Sequence, residues 1–187
     1  LYQTIYFLKT SPADIRTLIT SSGYVEGWAT YIESYGYQYA ARDLDDPAAT
    51  DYTRLIALNR RINLCLYSLL DIGIHYYGWD ETQAARLLQF FGIIDAHVVS
   101  EIFQYIVETP ANYQKYCWGC LNFLDLKKEW KDTLGDDFNL KAFHQNLLEI
   151  GPVQFPVLQK YMNEQLQKKY KEVPVRTSHF MTVCNIF

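Results

Sequence analysis

Two glutamates, Glu26 and Glu33, stand seven residues apart in the run Glu26-Gly27-Trp28-Ala29-Thr30-Tyr31-Ile32-Glu33. Seven residues make two helical turns, so on a helix both carboxylates share a face, together with Thr30 and Tyr37. Gly27 and Ala29 keep that surface low enough for a second backbone or a ligand to come close. Carboxylates on such a face can bind a metal, perform acid–base work or simply meet water. A second group is Asp71-Ile72-Gly73-Ile74-His75, followed by Tyr76, Tyr77, Gly78 and Trp79. Asp71 and His75 are four apart, so on a helix the carboxylate can accept from the imidazole, fixing its tautomer and raising its basicity. The plainer alternative is a structural histidine at the end of a core helix.

A third group runs from Pro110 through Asn112, Tyr113 and Tyr116 to Cys117-Trp118-Gly119-Cys120. Cys117 and Cys120 form C-x-x-C, the pattern of a redox pair or of half a zinc site. No strand pattern precedes it, and no second Cys/His pair follows at zinc-finger spacing. Tyr113 and Tyr116 either offer phenol donors to a substrate or belong to a core. In Phe143-His144-Gln145-Asn146-Leu147-Leu148, His144 reads as capping an amphipathic helix, whereas His97 and His179 have no chemical context.

The elements that must position these groups read as helical almost throughout. Ser11-Pro12-Ala13-Asp14 offers an N-cap, a proline at the first helical position and an acid in the first turn, opening a helix to about Ser21. A second helix covers Tyr24 to Arg42 and ends in the turn-rich stretch from Asp43 to Pro47. A third begins near Asp51, places Leu55, Leu58, Ile62, Leu66 and Leu69 at three- and four-residue spacing, and breaks around Gly73 or Gly78. Asp80 with Gln83 reads as a capping box for a helix through Phe91. Further helices fit Asp95 to Glu108, Pro110 to Lys131, Leu140 to Ile150 and Pro152 to Lys171. The tail from Val173 to Phe187 has no helical period and reads as a strand or an extended arm. With no internal repeat and no long linker, the expectation is a single all-α domain over residues 1–187, an irregular bundle of seven to eight helices.

Composition agrees and excludes other classes. The 187 residues are 49% hydrophobic and 20% charged, a globular balance. The net charge of −4 leaves no basic surplus for nucleic acid. The longest apolar stretch, Leu64 to Ile74, is interrupted by Asp71 and too short to cross a bilayer. Four cysteines are sparse for a disulfide scaffold, and no secretory or lipoprotein signal is visible after Leu1. The 16 Tyr, 10 Phe and 4 Trp imply half-buried hydroxyls around a cleft or an interface, or amphipathic rings between helices.

Taken in order, these segments resemble the C-terminal part of the bacterial domain-of-unknown-function 885 (DUF885) family, helical proteins similar to zinc metallopeptidases of the gluzincin type. The resemblance rests on Glu26-Gly27-Trp28-Ala29 with Tyr31 and Glu33, and on Asp71-x-Gly73-Ile74-His75 with Gly78-Trp79. It continues through Pro110 with Tyr116 and Gly119, and Phe143-His144 with Leu147-Leu148 and Gly151. The family's H-E-x-x-P-G-H motif, with Gln after two further residues, has no match here. Leu1-Tyr2-Gln3 resembles the stretch directly after its second histidine. The resemblance therefore implies the downstream part of a longer, zincin-like protein, beginning just after two of three metal ligands.

By the same resemblance Glu26 is the third zinc ligand and Glu33 a carboxylate that orients a ligand from behind. His75, held by Asp71, and Tyr116 are candidates to stabilise an oxyanion or bind substrate. Asn112 stands where the family often has Gln. The implied activity is peptide-bond hydrolysis by zinc-activated water, with zinc in the full-length protein, none expected on these 187 residues alone, and a peptide as substrate. Relatives look like exported lipoproteins or like cytoplasmic proteins. Without upstream helices, apolar surface is expected to drive self-association. Two other readings stand beside this one: a non-catalytic helical module binding a ligand or partner, and a C-x-x-C oxidoreductase with a reactive thiol.

Overall fold

The structure is a computed structural model that describes residues 1–43, 46 and 48–172. Every regular element among these residues is helical: α1 (Tyr2–Lys9), α2 (Asp14–Leu18), α3 (Ser22–Asp43), α4 (Ala49–His75), α5 (Glu81–Phe90), α6 (Ala96–Glu108), α7 (Gln114–Leu134), α8 (Leu140–Ile150) and α9 (Phe155–Glu172), with a single 3₁₀ turn at Gly135–Asp137. The all-α expectation holds. The tail from Val173 to Phe187 lies outside the described residues.

Local chemistry accounts for most boundaries. Asp80 Oδ1 accepts from the Gln83 amide at 2.8 Å while Gln83 Oε1 accepts from the Asp80 amide at 2.9 Å, the reciprocal capping box that opens α5. Asp95 accepts from the amides of His97 and Val98 to open α6, and Asn139 accepts from Ala142 to open α8. α8 stops at Gly151, whose φ of +75° favours glycine. At the end of α4, Trp79 folds back so that its amide donates to the Gly73 carbonyl at 2.9 Å. A Cβ on Gly73 would overlap the Trp79 ring, so the Gly73…Trp79 motif is first of all a helix stop.

Two apolar clusters hold the helices. The larger takes Tyr24, Trp28 and Tyr31 from α3, Phe123, Leu126, Trp130 and Leu134 from α7, Phe143 and Leu147 from α8, and Leu158, Met162 and Leu166 from α9. These residues recur every three or four positions, the period of one buried helix face. The smaller cluster joins Leu66 and Leu70 of α4, Ala84 and Leu88 of α5, and Val99 and Ile106 of α6. The Leu55–Leu69 stripe behaves differently from its pattern. Leu66 is 2% exposed, but Leu55, Leu58, Ile62 and Leu69 are 43–63% exposed and look away from both clusters.

α3 and α7 form the most extensively packed pair. They meet backbone to backbone, because a Cβ on Gly27 would lie 2.5 Å from Gly119 Cα and one on Gly119 would lie 2.7 Å from Gly27 Cα. The low surface read from Gly27 therefore receives another helix. Several starts differ from the sequence reading. α2 begins at Asp14 with Ala13, not Ser11, at the N-cap position and no side-chain cap, and it ends at Leu18 rather than near Ser21; α9 begins at Phe155 rather than Pro152. α1 is a helix that no periodicity announced; it docks through Phe7, 3% exposed, against Gly151 at the end of α8. α7 begins at Gln114 rather than Pro110, because residues around Ala111, with φ +59°, form a turn.

Candidate functional site

Glu26 and Glu33 lie on α3, both half-buried. They differ in what surrounds them. Glu33 Oε1 accepts from the Tyr37 hydroxyl at 2.9 Å and lies 3.6 Å from Arg60 Nε of α4. Hydrogen bonding to that carboxylate, with some burial, raises the Tyr37 pKa. Glu33, Tyr37 and Thr30 line a shallow, solvent-open recess of about 20 Å³ with Arg60 and Arg61 of α4 and Cys120 of α7. The Glu26 carboxylate has no hydrogen-bonding or ionic partner among the described residues; only its backbone carbonyl is engaged, by Thr30 Oγ1 at 2.9 Å.

Gln3, which the motif reading noted only as a flanking position, sits next to Glu26. It is 6% exposed, and its Nε2 donates to the Val25 carbonyl at 3.0 Å. The first turn of α1 is thus fastened to the residue preceding Glu26. Arg16 of α2 adds a bond to the Ile150 carbonyl and lies 5.0 Å over the Phe7 ring, holding the same end of the molecule together.

Asp71 and His75 are adjacent at the end of α4, but not as the four-residue spacing predicts. His75 Nε2 is 3.6 Å from Asp71 Oδ1, too long for a hydrogen bond. It donates instead to the Ile106 carbonyl of α6 at 2.9 Å. A carbonyl only accepts, so Nε2 carries the proton. Asp71, 3% exposed, accepts from the Ala111 amide at 3.1 Å. Its carboxylate holds the left-handed Ala111 turn in place, and its other oxygen is buried without a partner among the described residues. The physical reason for the correction is competition: a tertiary amide and a tertiary carbonyl lie closer than the two side chains lie to each other.

At the start of α7, Tyr116 is half-buried, its phenol has no hydrogen-bond partner among the described residues, and Lys115 Nζ lies 5.2 Å from its ring. Tyr113 behaves as a packing residue, stacked on Tyr67 with centroids 4.7 Å apart, and burial raises its pKa. Asn112 Nδ2 reaches Tyr105 Oη at 3.5 Å. Burial pushes the Cys120 thiol up to about 11, the opposite of the activated thiol a C-x-x-C oxidoreductase needs. Among the described residues no three His, Cys, Asp or Glu side chains converge to hold a metal ion.

One polar chain was not visible from sequence spacing. Lys127 Nζ donates to Tyr35 Oη at 2.6 Å, Tyr35 and Tyr31 hydroxyls are 3.0 Å apart, and Tyr31 Oη is 2.8 Å from His144 Nε2. Burial, with the Lys127 charge, pushes the His144 pKa down to about 4, so the ring is neutral at pH 7 and can accept from Tyr31. Burial together with the bond to Tyr35 raises the Tyr31 pKa. The chain ties α3, α7 and α8 together inside an aromatic shell of Trp28, Tyr31 and Phe143 around the imidazole.

No helix among the described residues is long and apolar enough to cross a membrane. Comparison with known proteins gives a likeness to a solved structure and a match to a family. The crystal structure of "the putative lipoprotein from Colwellia psychrerythraea" superposes with a TM-score of 0.70 at 27% identity, over 89% of this chain. This chain spans only 28% of that protein's length. No curated protein matches the chain significantly. The model of the family described as bacterial protein of unknown function, DUF885, matches residues 3–162. With most of its length matched, from Gln3 beside Val25 to Met162 in the larger core, the chain belongs to the DUF885 family.

Proposed function

We propose that the chain forms the substrate-cleft side of a zinc-dependent peptidase and supplies Glu26 as the third zinc ligand. The other two ligands and the general base would come from an H-E-x-x-P-G-H segment preceding Leu1. The observation that carries this reading is the Gln3–Val25 bond. It fastens α1 beside the residue before Glu26, so a segment entering α1 from upstream would arrive at the Glu26 carboxylate. The unpartnered state of that carboxylate supports the same role, since a half-buried acid without a local counter-charge suits an ion or donor from outside. Glu33, already neutralised by Arg60 and Tyr37, suits a supporting role.

The described residues alone do not fit zinc. One carboxylate cannot hold the ion with useful affinity, and no three-donor cluster is present among them. Zinc bound in a longer polypeptide would supply a water of pKa about 7. This chain's own contribution would be positional. Tyr116 has its phenol free to donate to a developing oxyanion, an interaction worth about 3 kcal/mol. His75 has committed its Nε2 proton to Ile106, leaving Nδ1, an acceptor until the ring is protonated, so it serves better to seat α4 against α6.

The test uses the natural polypeptide that contains these residues, with zinc measured by elemental mass spectrometry and turnover on a peptide library. Glu26→Gln should lose zinc and hydrolysis together. Glu33→Gln should weaken zinc about 10- to 100-fold, and Tyr116→Phe should lower turnover about 100-fold with zinc intact. Unchanged zinc in Glu26→Gln would overturn the assignment. The second reading, a non-catalytic binding module, is favoured by the exposed stripe of Leu55, Leu58, Ile62 and Leu69, and it predicts no zinc and no hydrolysis in the parent protein. Self-association of the isolated chain would use that same stripe.

A further inference from the structure

Cys65 of α4 and Cys117 of α7 are 52 residues apart in the chain, yet their sulfurs are 3.9 Å apart. Both are free thiols, Cys65 exposed and Cys117 half-buried. The approach is held from nearby: Gln114 Nε2 donates to the Ser68 carbonyl at 2.7 Å, pinning α7 to α4 about one turn along both helices. Closing the pair requires the sulfurs to move from 3.9 Å to the roughly 2.05 Å of a disulfide. Cys120, the partner that the C-x-x-C spacing suggests for Cys117, lies on the same continuous helix, half-buried, with its pKa raised by burial.

We propose that Cys65 and Cys117 are a redox pair that closes to an intramolecular disulfide when met by a small-molecule disulfide of the glutathione class. Partial burial and the neighbouring Cys117 raise the Cys65 pKa, which makes the exchange slow at neutral pH; once ionised, the exposed Cys65 thiolate attacks the oxidant's S–S bond, forms a mixed disulfide and releases one small thiolate, which takes up a proton. The Cys117 thiolate then attacks Cys65 Sγ and expels the second small thiolate, which takes up the other proton. Two protein S–H bonds and one oxidant S–S bond are consumed; one protein S–S bond and two small thiols are formed. The bond clamps the helix carrying Asp71 and His75 to the residue immediately after Tyr116. Oxidation therefore fixes the spacing between two walls of the candidate site, whatever reaction that site performs.

The test is equilibration of the chain in buffers of graded oxidised to reduced glutathione, trapping of free thiols, and non-reducing peptide mapping by mass spectrometry. The expected product is a single covalent chain two hydrogens lighter, with the Cys65 and Cys117 peptides joined. It should melt about 10 °C higher than the reduced chain and revert in excess dithiol. Cys65→Ser and Cys117→Ser should each abolish it, and Cys120→Ser should not. A bond between Cys117 and Cys120, any bond to Cys184, a disulfide between two chains, or glutathione retained on Cys65 as the end product would each overturn the proposal. Mapping of the unmutated chain reads the pairing directly, so the result stands even if a serine variant folds poorly.

Discussion

Burial sets the His144 imidazole apart from an ordinary histidine. Its pKa falls from about 6.5 to about 4 on folding, so between those values the unfolded chain binds a proton that the folded chain refuses. Stability must then rise with pH across this window and be lost as pH falls from about 6.5 to about 4. The ring is only about half buried, which discounts the full linkage to something on the order of 1 kcal/mol. Urea melts at pH 7.5 and pH 4.5 should show that loss in the natural chain and a smaller one in His144→Phe. An equal loss in both would assign the acid sensitivity to other groups. Sequence spacing could not expose this residue's role, because its hydroxyl partner lies 113 residues away and the ammonium at the far end of the chain of bonds meets Tyr35 across 92. Asp71 and His75 teach a related lesson. Their spacing brought them together as read, but each found a stronger partner on another element.

At the scale of elements, the helix stops and starts that depend on the local chemistry of one or two residues were legible. Asp80 with Gln83, Asp95 and Gly151 all mark boundaries within a residue or two of where sequence places them. Those that depend on tertiary support were not. α1 is short and owes its place to Phe7, Gln3 and Gly151, contacts with no local signature. α7 starts late because Asp71, 40 residues earlier, stabilises the Ala111 turn. The glycines of the long helices separate cleanly by this logic. Gly119→Ala would drive a methyl into the α3 backbone and should cost about 3 kcal/mol. Gly36→Ala, on the same partner helix but with nothing within 4 Å of the added methyl, should stabilise by about 0.5–1 kcal/mol. Denaturant titration of the two variants decides whether the crossing is as close as described; equal effects would rule it out.

For the whole molecule, the two apolar clusters leave a third apolar surface unused. Leu55, Leu58, Ile62, Leu69 and Ile72 run along the outside of the 27-residue α4, and Trp118 and Leu121 of α7 are exposed as well. A periodic pattern announces a buried face but not what buries it, which is why the stripe was legible and its orientation was not. The isolated chain should self-associate through it, visible as a concentration-dependent mass in light scattering. Ile62→Lys with Leu69→Lys should restore a monomer without lowering the melting temperature by more than a few degrees. A monomer at high concentration in the natural chain would remove this expectation.

The crossing of α3 and α7 has a consequence for precision. Gly27 follows Glu26 directly, and Gly119 lies three residues after Tyr116. Where two helices touch through side chains, a change of rotamer can shift one against the other by an ångström or more. Here no side chain stands between them. The gap is set by atomic radii, so a carboxylate on one helix and a phenol on the other are referenced to a common datum, as two pointers are when mounted on one pivot. Such a joint can turn slightly but cannot drift apart without losing contact altogether.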